Sequence, residues 1–319
     1  MDPLTHFLDG PRAVGAFALS MHMNAPWGVH VRDRAALTVV AVTRGRARID
    51  GELLETGDVA LVSGPEPYVV SDEAASAPTI DIGPGQHCTT LDGRDLVEEL
   101  RHGVRRWGNA SEGETSLLIG TYERTDDAGG LVSRALPRLA VVRRERADGI
   151  LLELLGREMA NGDAAAQVVI DRLLDVLVVR TIRSWIADEA HSGRPTWLTC
   201  HDPIVVRALD VLHAEPAAPW TVEHLARRVN TSRASLAARF RSGVGEAPMT
   251  YLTRWRLTLA RDLLRAADTP IAEIAHEVGY RNAYAFSTAF KRHVGATPSE
   301  FRRYHPPLYP SRQPSRSAP

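Results

Sequence analysis

The chain has 319 residues, of which 44% are hydrophobic and 24% charged, with a formal net charge of −1. This is globular material with room for two or three cores, and it contains neither the roughly 20-residue apolar run that spans a bilayer nor the basic start and apolar stretch of a secretory leader. Its two cysteines, Cys88 and Cys200, lie far apart without CxxC spacing, which excludes a disulfide framework and a cysteine-rich zinc module and makes a reduced, cytoplasmic protein the expectation.

The near-zero total conceals a division. From His201 onward the chain carries 17 Lys/Arg against 10 Asp/Glu, a surplus of +7, whereas the preceding part has a balance of −8. A basic third joined to an acidic two-thirds prompts nucleic-acid binding by the basic part, although a solvated basic face would give the same numbers.

From about Val14 to Ile82, apolar and polar positions alternate in short runs broken by Gly, Pro and Asp-Gly, the pattern of half-buried strands in a sandwich or barrel. In "RARIDGELLETGDVALVSGPEPYVV", Ala47 and Ile49 alternate with Arg46, Arg48 and Asp50; Asp50-Gly51 suits a tight hairpin, and Gly57-Asp58 makes the next corner. Beyond Leu91 the texture turns helical, around Leu96 to Trp107, Leu131 to Val142 and Gly149 to Met159. The longest helix is expected from about Ala164 to Ala187, with a broad apolar stripe made of Val169, Leu173, Val176 and Val179 beside Ile170, Leu174 and Leu177. Asn161-Gly162-Asp163 breaks the chain before it, so the last two helices are expected to form an antiparallel hairpin. So wide a stripe serves either to pack on the β region or, in part, to dimerise. "HSGRPTWLTCHDP", residues 191–203, has no period and reads as a linker, and residues 306–319 have too few apolar side chains to fold and read as a disordered tail.

Between linker and tail the sequence repeats itself. Leu225 and Val229 match Ile274 and Val278; Ser232, Leu236, Phe240, Val244, Gly245 and Pro248 then match Asn282, Phe286, Phe290, Val294, Gly295 and Pro298, with one extra residue in the second turn. In the first copy Thr221 caps a helix bearing Val222, Leu225, Ala226 and Val229, Asn230-Thr231 turns, and Ser232 caps a helix bearing Leu236 and Phe240. In the second, Pro270 is expected at the first helical position before Ile271, Ile274, Ala275 and Val278; Gly279 turns, and Asn282 caps a helix bearing Phe286, Ala289 and Phe290. Helix, short turn, capped helix is the helix-turn-helix plan, whose second helix is offered to the major groove. With the apolar positions inward, the first reading surface holds Ser232, Arg233, Ala234, Ala237, Ala238 and Arg241, and the second holds Arg281, Asn282, Ala283, Tyr284, Ser287, Thr288, Lys291 and Arg292. The basic residues suit phosphates, and the small ones permit close approach or serve merely as helix formers. Met249 to Ala266 joins the copies as one helix, about 18 residues and so about 27 Å long, comparable with the roughly 34 Å between successive turns of a major groove. One chain would then be a bipartite reader.

The segment from about Ile204 to Tyr304 resembles the DNA-binding domain of AraC/XylS-type transcription regulators, and "PIAEIAHEVGYRNAYAFSTAFKRHVGATPSEFR" is close to that family's signature, including the Gly-Tyr turn, Phe286, Phe290, Gly295, Pro298 and Phe301. The resemblance implies seven helices and promoter binding. Where relatives often carry a long polar side chain for reading bases in the first motif, this chain has Ala234, Ala237 and Ala238, so readout leans on Tyr284, Ser287 and Thr288 or on DNA shape.

"RGRARIDGELLETGDVALVSGPEPY" and the order of elements resemble the cupin-type sensing and dimerisation domain that precedes this DNA-binding domain in many relatives. The resemblance implies an α+β chain: a cupin-like β-barrel with strands at about 14–90 and helices at about 91–189 in a sensing domain of residues 1–190, a linker of residues 191–203, an all-α double helix-turn-helix domain of residues 204–305, and the tail. Tyr68 stands where metal-holding cupins often place a histidine, which argues against a cupin enzyme, and two cysteines cannot build the zinc site of a DNA-alkylation-repair fusion. Three sensor readings stay open. His22, His30, His87 and Cys88 would hold Zn²⁺ or another transition metal if "MHMNAPWGVH" and "GQHC" were neighbouring strands, while satisfied strand-end histidines and a small buried thiol explain the same residues. Cys88 would sense oxidants given a lowered pKa and exposure. Trp27, His30 and Tyr68 would line a barrel holding an organic effector. The leading expectation is a homodimeric, ligand-responsive transcription regulator of promoter DNA, not an enzyme, meeting RNA polymerase if it is an activator; a constitutive DNA binder is the alternative.

Overall fold

The computed structural model describes residues 17–122, 128–161, 165–188, 196–266 and 269–304. The strand start at Val14, the break at Gly162-Asp163, the first part of the expected linker and the tail lie outside the described residues. Residues 17–122 and 129–188 make one compact unit, and residues 196–304 belong to another.

The first unit contains twelve strands among its described residues: β1 (Phe17–Met23), β2 (Gly28–Val31), β3 (Leu37–Arg44), β4 (Arg46–Ile49), β5 (Glu52–Glu55), β6 (Val59–Ser63), β7 (Tyr68–Ser71), β8 (Ile80–Gly83), β9 (His87–Thr90), β10 (Arg106–Trp107), β11 (Thr115–Tyr122) and β12 (Leu139–Val142). They form two six-stranded sheets, ordered β10-β1-β11-β3-β6-β12 and β5-β4-β7-β2-β8-β9. The β-rich domain is present, and its sheets face each other without closing into a continuous hydrogen-bonded barrel. Met21, Met23, Trp27, Val29, Val31, Val40, Val42, Ala47, Ile49, Leu54 and Cys88 share the core between them. The β4–β5 hairpin turns on Asp50 and Gly51, both at positive φ (47° and 86°), the backbone that a two-residue turn needs to match strand twist.

Among the described residues three α-helices accompany the sheets: α1 (Ala128–Ala135), α2 (Gly149–Ala160) and α3 (Ala166–Ile186). Asp148 caps α2 by accepting the amide of Leu151. α3 lies over β6, β11 and β12, with Leu174 against Gly120. This explains β3, whose first six residues are all buried: Val40 and Val42 face the opposite sheet, while Leu37, Val39 and Ala41 point to the other face. The broad stripe of α3 splits, since Ile170, Leu174 and Leu177 are buried whereas Val169 and Val176 stay 41% and 46% exposed.

Two helical expectations are corrected, and strands continue well past residue 90. Residues 96–107 are not a helix: Leu96 and Leu100 reach the core from a single turn, Gly103 breaks it at φ 154°, and the segment ends in β10. The expected helix from Leu131 to Val142 stops before Pro137, which cannot continue it, and Leu139–Val142 after it pairs as β12 with β6. β11 escaped the sequence reading altogether. It sits between β1 and β3, and burial on both faces makes "TSLLIGTY" an apolar run without alternation.

The second unit contains seven helices among its described residues: α4 (Pro203–Ala214), α5 (Val222–Arg228), α6 (Arg233–Val244), α7 (Pro248–Ala266), α8 (Ile271–Glu277), α9 (Ala283–Val294) and α10 (Pro298–Tyr304). His213 and Tyr251, joined by a 2.6 Å hydrogen bond, link α4 to α7, and Trp255 packs edge-on against the same imidazole. Around the second motif Phe286 and Phe290 are fully buried, with Ile274, Ala275, Val278, Leu257 and Phe301 beside them.

Candidate nucleic-acid interface

α5 begins where Thr221 accepts the amide of His224, and ends at Arg228 with Val229 buried behind it. Asn230, at φ 57°, makes the turn, and Ser232 caps α6 by accepting the amide of Ser235. Leu236 and Phe240 are wholly buried, so the opposite side of α6 faces outward. Ser232, Arg233, Ala234, Ala238 and Arg241 are exposed there, and Ala237 is half-buried. Arg233 is paired with Glu223 of α5 at 2.8 Å. The sequence reading missed Arg239, also exposed, whose guanidinium lies 2.9 Å from Asp202, the cap of α4.

The second motif repeats the plan. Pro270 occupies the cap position with ψ 139°, one residue before the position expected for it, because the helix itself starts at Ile271. Gly279 turns at φ 83°, and Asn282 caps α9 through the amide of Ala285 at 2.8 Å. Phe286 and Phe290 fix the inner face. Tyr284 is 82% exposed, and Arg281, Asn282, Thr288, Lys291 and Arg292 are exposed with it, while Ala283 and Ser287 are half-buried. Both capped helix starts present amide donors and positive dipole ends suited to phosphate.

α7 runs 19 residues, about 28 Å, between the motifs. Arg256 at its middle bonds to the carbonyls of Pro216 and Ala218, in the loop that leads into α5. Its position between the apolar Trp255 and Leu257 gave no sign of that role.

The sensor candidates do not assemble as a metal site. β9 is separated from β2 by β8, and β1 belongs to the other sheet, so the strands bearing the four residues are not neighbours. His22 points away from the core and bonds to Ser116 at 2.9 Å; burial, together with Arg106 and His102, lowers its pKa. His30 bonds at 3.0 Å to Asp81, which also receives Arg32, and Arg32 foremost holds that carboxyl below the usual carboxylate range. His87 is exposed, whereas Cys88 is buried in the core. Among the described residues no three His, Cys, Asp or Glu side chains lie together as metal ligands. Period two already carried this information: His22 lies between the buried Met21 and Met23, and His30 between Val29 and Val31. Burial, aided by Asp95, pushes the Cys88 thiol up to about 11, whereas an oxidant sensor calls for an exposed thiol of lowered pKa.

The effector trio divides too. Trp27 and Tyr68 belong to the inter-sheet core, at opposite ends of the β2–β7 pair, while His30 faces the other way. Trp27 is only 2% exposed, and its indole Nε1 has no hydrogen-bond partner among the described residues. Burial raises the pKa of Tyr68. A cavity of about 410 Å³ at the base of the helical hairpin is lined by Arg146, Arg180, Arg183, Asp148 and Ser184. Its charges are largely spent internally, Arg146 on Asp188 and Arg180 on Asp148.

Residues 2–187 match the family described as Cupin, and residues 225–304 match a helix-turn-helix domain. The chain is 32% identical to an AraC-like transcription regulator of Streptomyces antibioticus across 96% of its own length and the whole of that protein. It is 29% identical to an AraC-like transcription regulator of Streptomyces lividans, over 97% of this chain and all of that one. It is likewise 29% identical to the HTH-type transcriptional regulator AlkR of Acinetobacter baylyi, over 95% of this chain and 99% of that one. Two capped helix-turn-helix motifs behind a two-sheet cupin domain, matched over nearly the full length by such regulators, place the chain in the AraC-like family of DNA-binding transcription regulators.

Proposed function

We propose that the helical unit reads promoter DNA as two half-sites through α6 and α9, and that α9 carries most of the base discrimination. The observation behind this is the contrast between the two outer faces. α9 offers the 82% exposed Tyr284 with Thr288 one turn on, whereas α6 offers alanines between arginines. Arg241, Lys291 and Arg292 bind phosphate, and Arg233 joins them when released from Glu223; the alanines of α6 approach thymine methyls or leave that half-site to be read by shape.

The cupin unit binds a small organic effector and joins two copies, and the chain works in the cytoplasm as a regulator without catalytic activity, contacting RNA polymerase where it activates. Trp27 supports the effector: a buried N–H without a partner among the described residues is the group an acceptor oxygen of a ligand would satisfy. Ile150 and Leu154 on α2, and Val168, Val169 and Val176 on α3, support the dimer as apolar residues left exposed on the two helices.

Selection of bound fragments by the purified full-length protein, followed by footprinting, tests the reading. Recovery of fragments protected over two segments about one helical turn apart upholds it, and sequence-blind retention refutes it. Sedimentation of a Val169→Glu/Val176→Glu variant tests the dimer: the variant becomes monomeric where the parent is dimeric, and an unchanged dimer removes α3 from the contact.

A further inference from the structure

We propose that Arg256 is a positioning residue for this bipartite reading: it fixes the two helix-turn-helix motifs at one separation and so sets the half-site spacing that the chain accepts. The inference rests on the proposed reading by α6 and α9. A connecting helix alone fixes only the path between its own ends and leaves each motif free to swing about its end. Phe240 against Tyr251, and Leu257 and Leu264 against Phe286 and Phe290, pack each motif on its own part of α7, and the contacts around residues 216–218 add a direct tie between the two motifs.

The Arg256 guanidinium extends from α7 onto this loop as a fork. Its Nε donates to the carbonyl of Pro216 and its Nη2 to that of Ala218, both at 2.7 Å. The loop is itself bound to the start of the first motif, since the amide of Trp220 donates to Ala218 at 2.7 Å and its indole Nε1 to Glu215 at 2.8 Å. From the other side the turn of the second motif closes on the same segment: a β-carbon at Gly279 would lie 2.6 Å from the Ala217 oxygen and 2.7 Å from its Cα. Gly279 is therefore reserved by contact as well as by its φ of 83°. Tyr280, the next residue, lies near enough to act on the Arg256 charge. The two motifs thus meet on one short loop, and Arg256 is the side chain that anchors this loop to the helix between them. Arginine suits the task because a planar fork fixes two acceptors at once, which a lysine cannot do.

The test uses full-length protein and a duplex selected from a random pool, remade with one or two base pairs inserted or removed between its motifs. The parent should lose about tenfold or more in affinity for a one-base-pair change, because each step moves and rotates one half-site relative to the other. Arg256→Met keeps the aliphatic stem without the donors; it should bind a single isolated motif as the parent does, while its loss across spacings shrinks to within about threefold. Arg256→Lys should fall between them. A folded Arg256→Met variant with the parent's steep spacing dependence overturns the proposal, and so does failure of both variants to fold, which makes the residue a matter of stability alone. Absence of spacing dependence in the parent itself refutes the bipartite reading instead.

Discussion

Arg233, in the first turn of α6, lies 2.8 Å from Glu223 on the helix before it. Both side chains are largely exposed, so the pair contributes little to stability; under the proposed reading by α6, the carboxylate holds and neutralises a cation that would otherwise meet phosphate. Glu223→Gln should raise affinity for all sequences and steepen the salt dependence. Arg233→Ala should flatten it, by about 0.9 in the slope of log K against log salt if one phosphate contact is lost. Titrations between low and physiological salt decide this, and slopes unchanged in both variants remove Arg233 from the contact set.

The two ends of α9 should respond differently. Tyr284→Ala or Thr288→Ala should cost about 1 to 3 kcal/mol on the preferred site and little on random DNA, as expected of a contacted base. Arg292→Ala should weaken both by a similar factor. Competition binding against random duplex measures the ratio, and equal losses for Tyr284→Ala would take that residue off the base-reading face.

Trp27 offers a test of effector binding separate from folding. Removing a buried donor that has no partner among the described residues, while keeping an aromatic ring, should relieve a desolvation cost even as some packing is lost. Trp27→Phe should therefore stay within about 1 kcal/mol of the parent in urea unfolding while losing most of its response to the effector. A variant with full response in a reporter assay would place the effector elsewhere.

Cys88 should be inert at neutral pH. Its thiol is raised to about 11 by burial, so the folded state holds the proton more tightly than the unfolded chain, whose thiols titrate near 8.5. The contribution to stability is then present below that unfolded value and is lost as pH rises from there through about 11. In a Cys200→Ser background, alkylation of the native protein should be slow at pH 7.5, and the alkaline fall in stability should be smaller once Cys88 is also replaced by alanine. Rapid native labelling would contradict the burial of this thiol.

The helical unit was legible because helix-turn-helix structure is written locally. Caps Thr221, Ser232 and Asn282 accept amides within three residues of themselves, and Leu236 with Phe240, or Phe286 with Phe290, mark the inner face of each recognition helix at one-turn spacing. A repeat of some fifty residues then made each motif a check on the other. The β4–β5 hairpin was readable for the same reason, since two turn residues suffice to specify it.

The sequence by itself thus determined the two motifs, the connecting helix, the β-rich front domain and the face that each recognition helix exposes. Tertiary structure alone decided which strands are neighbours, and with that the dispersal of His22, His30, His87 and Cys88 over two sheets and both sides of the core. It also decided that β11 enters the middle of a sheet and that Arg256 grips a loop 38 to 40 residues before it. The physical reason is common to these cases. Periodicity reports which side of an element faces apolar surroundings, whereas strand order and a side chain's bond to a distant carbonyl depend on contacts between segments that carry no mark of one another.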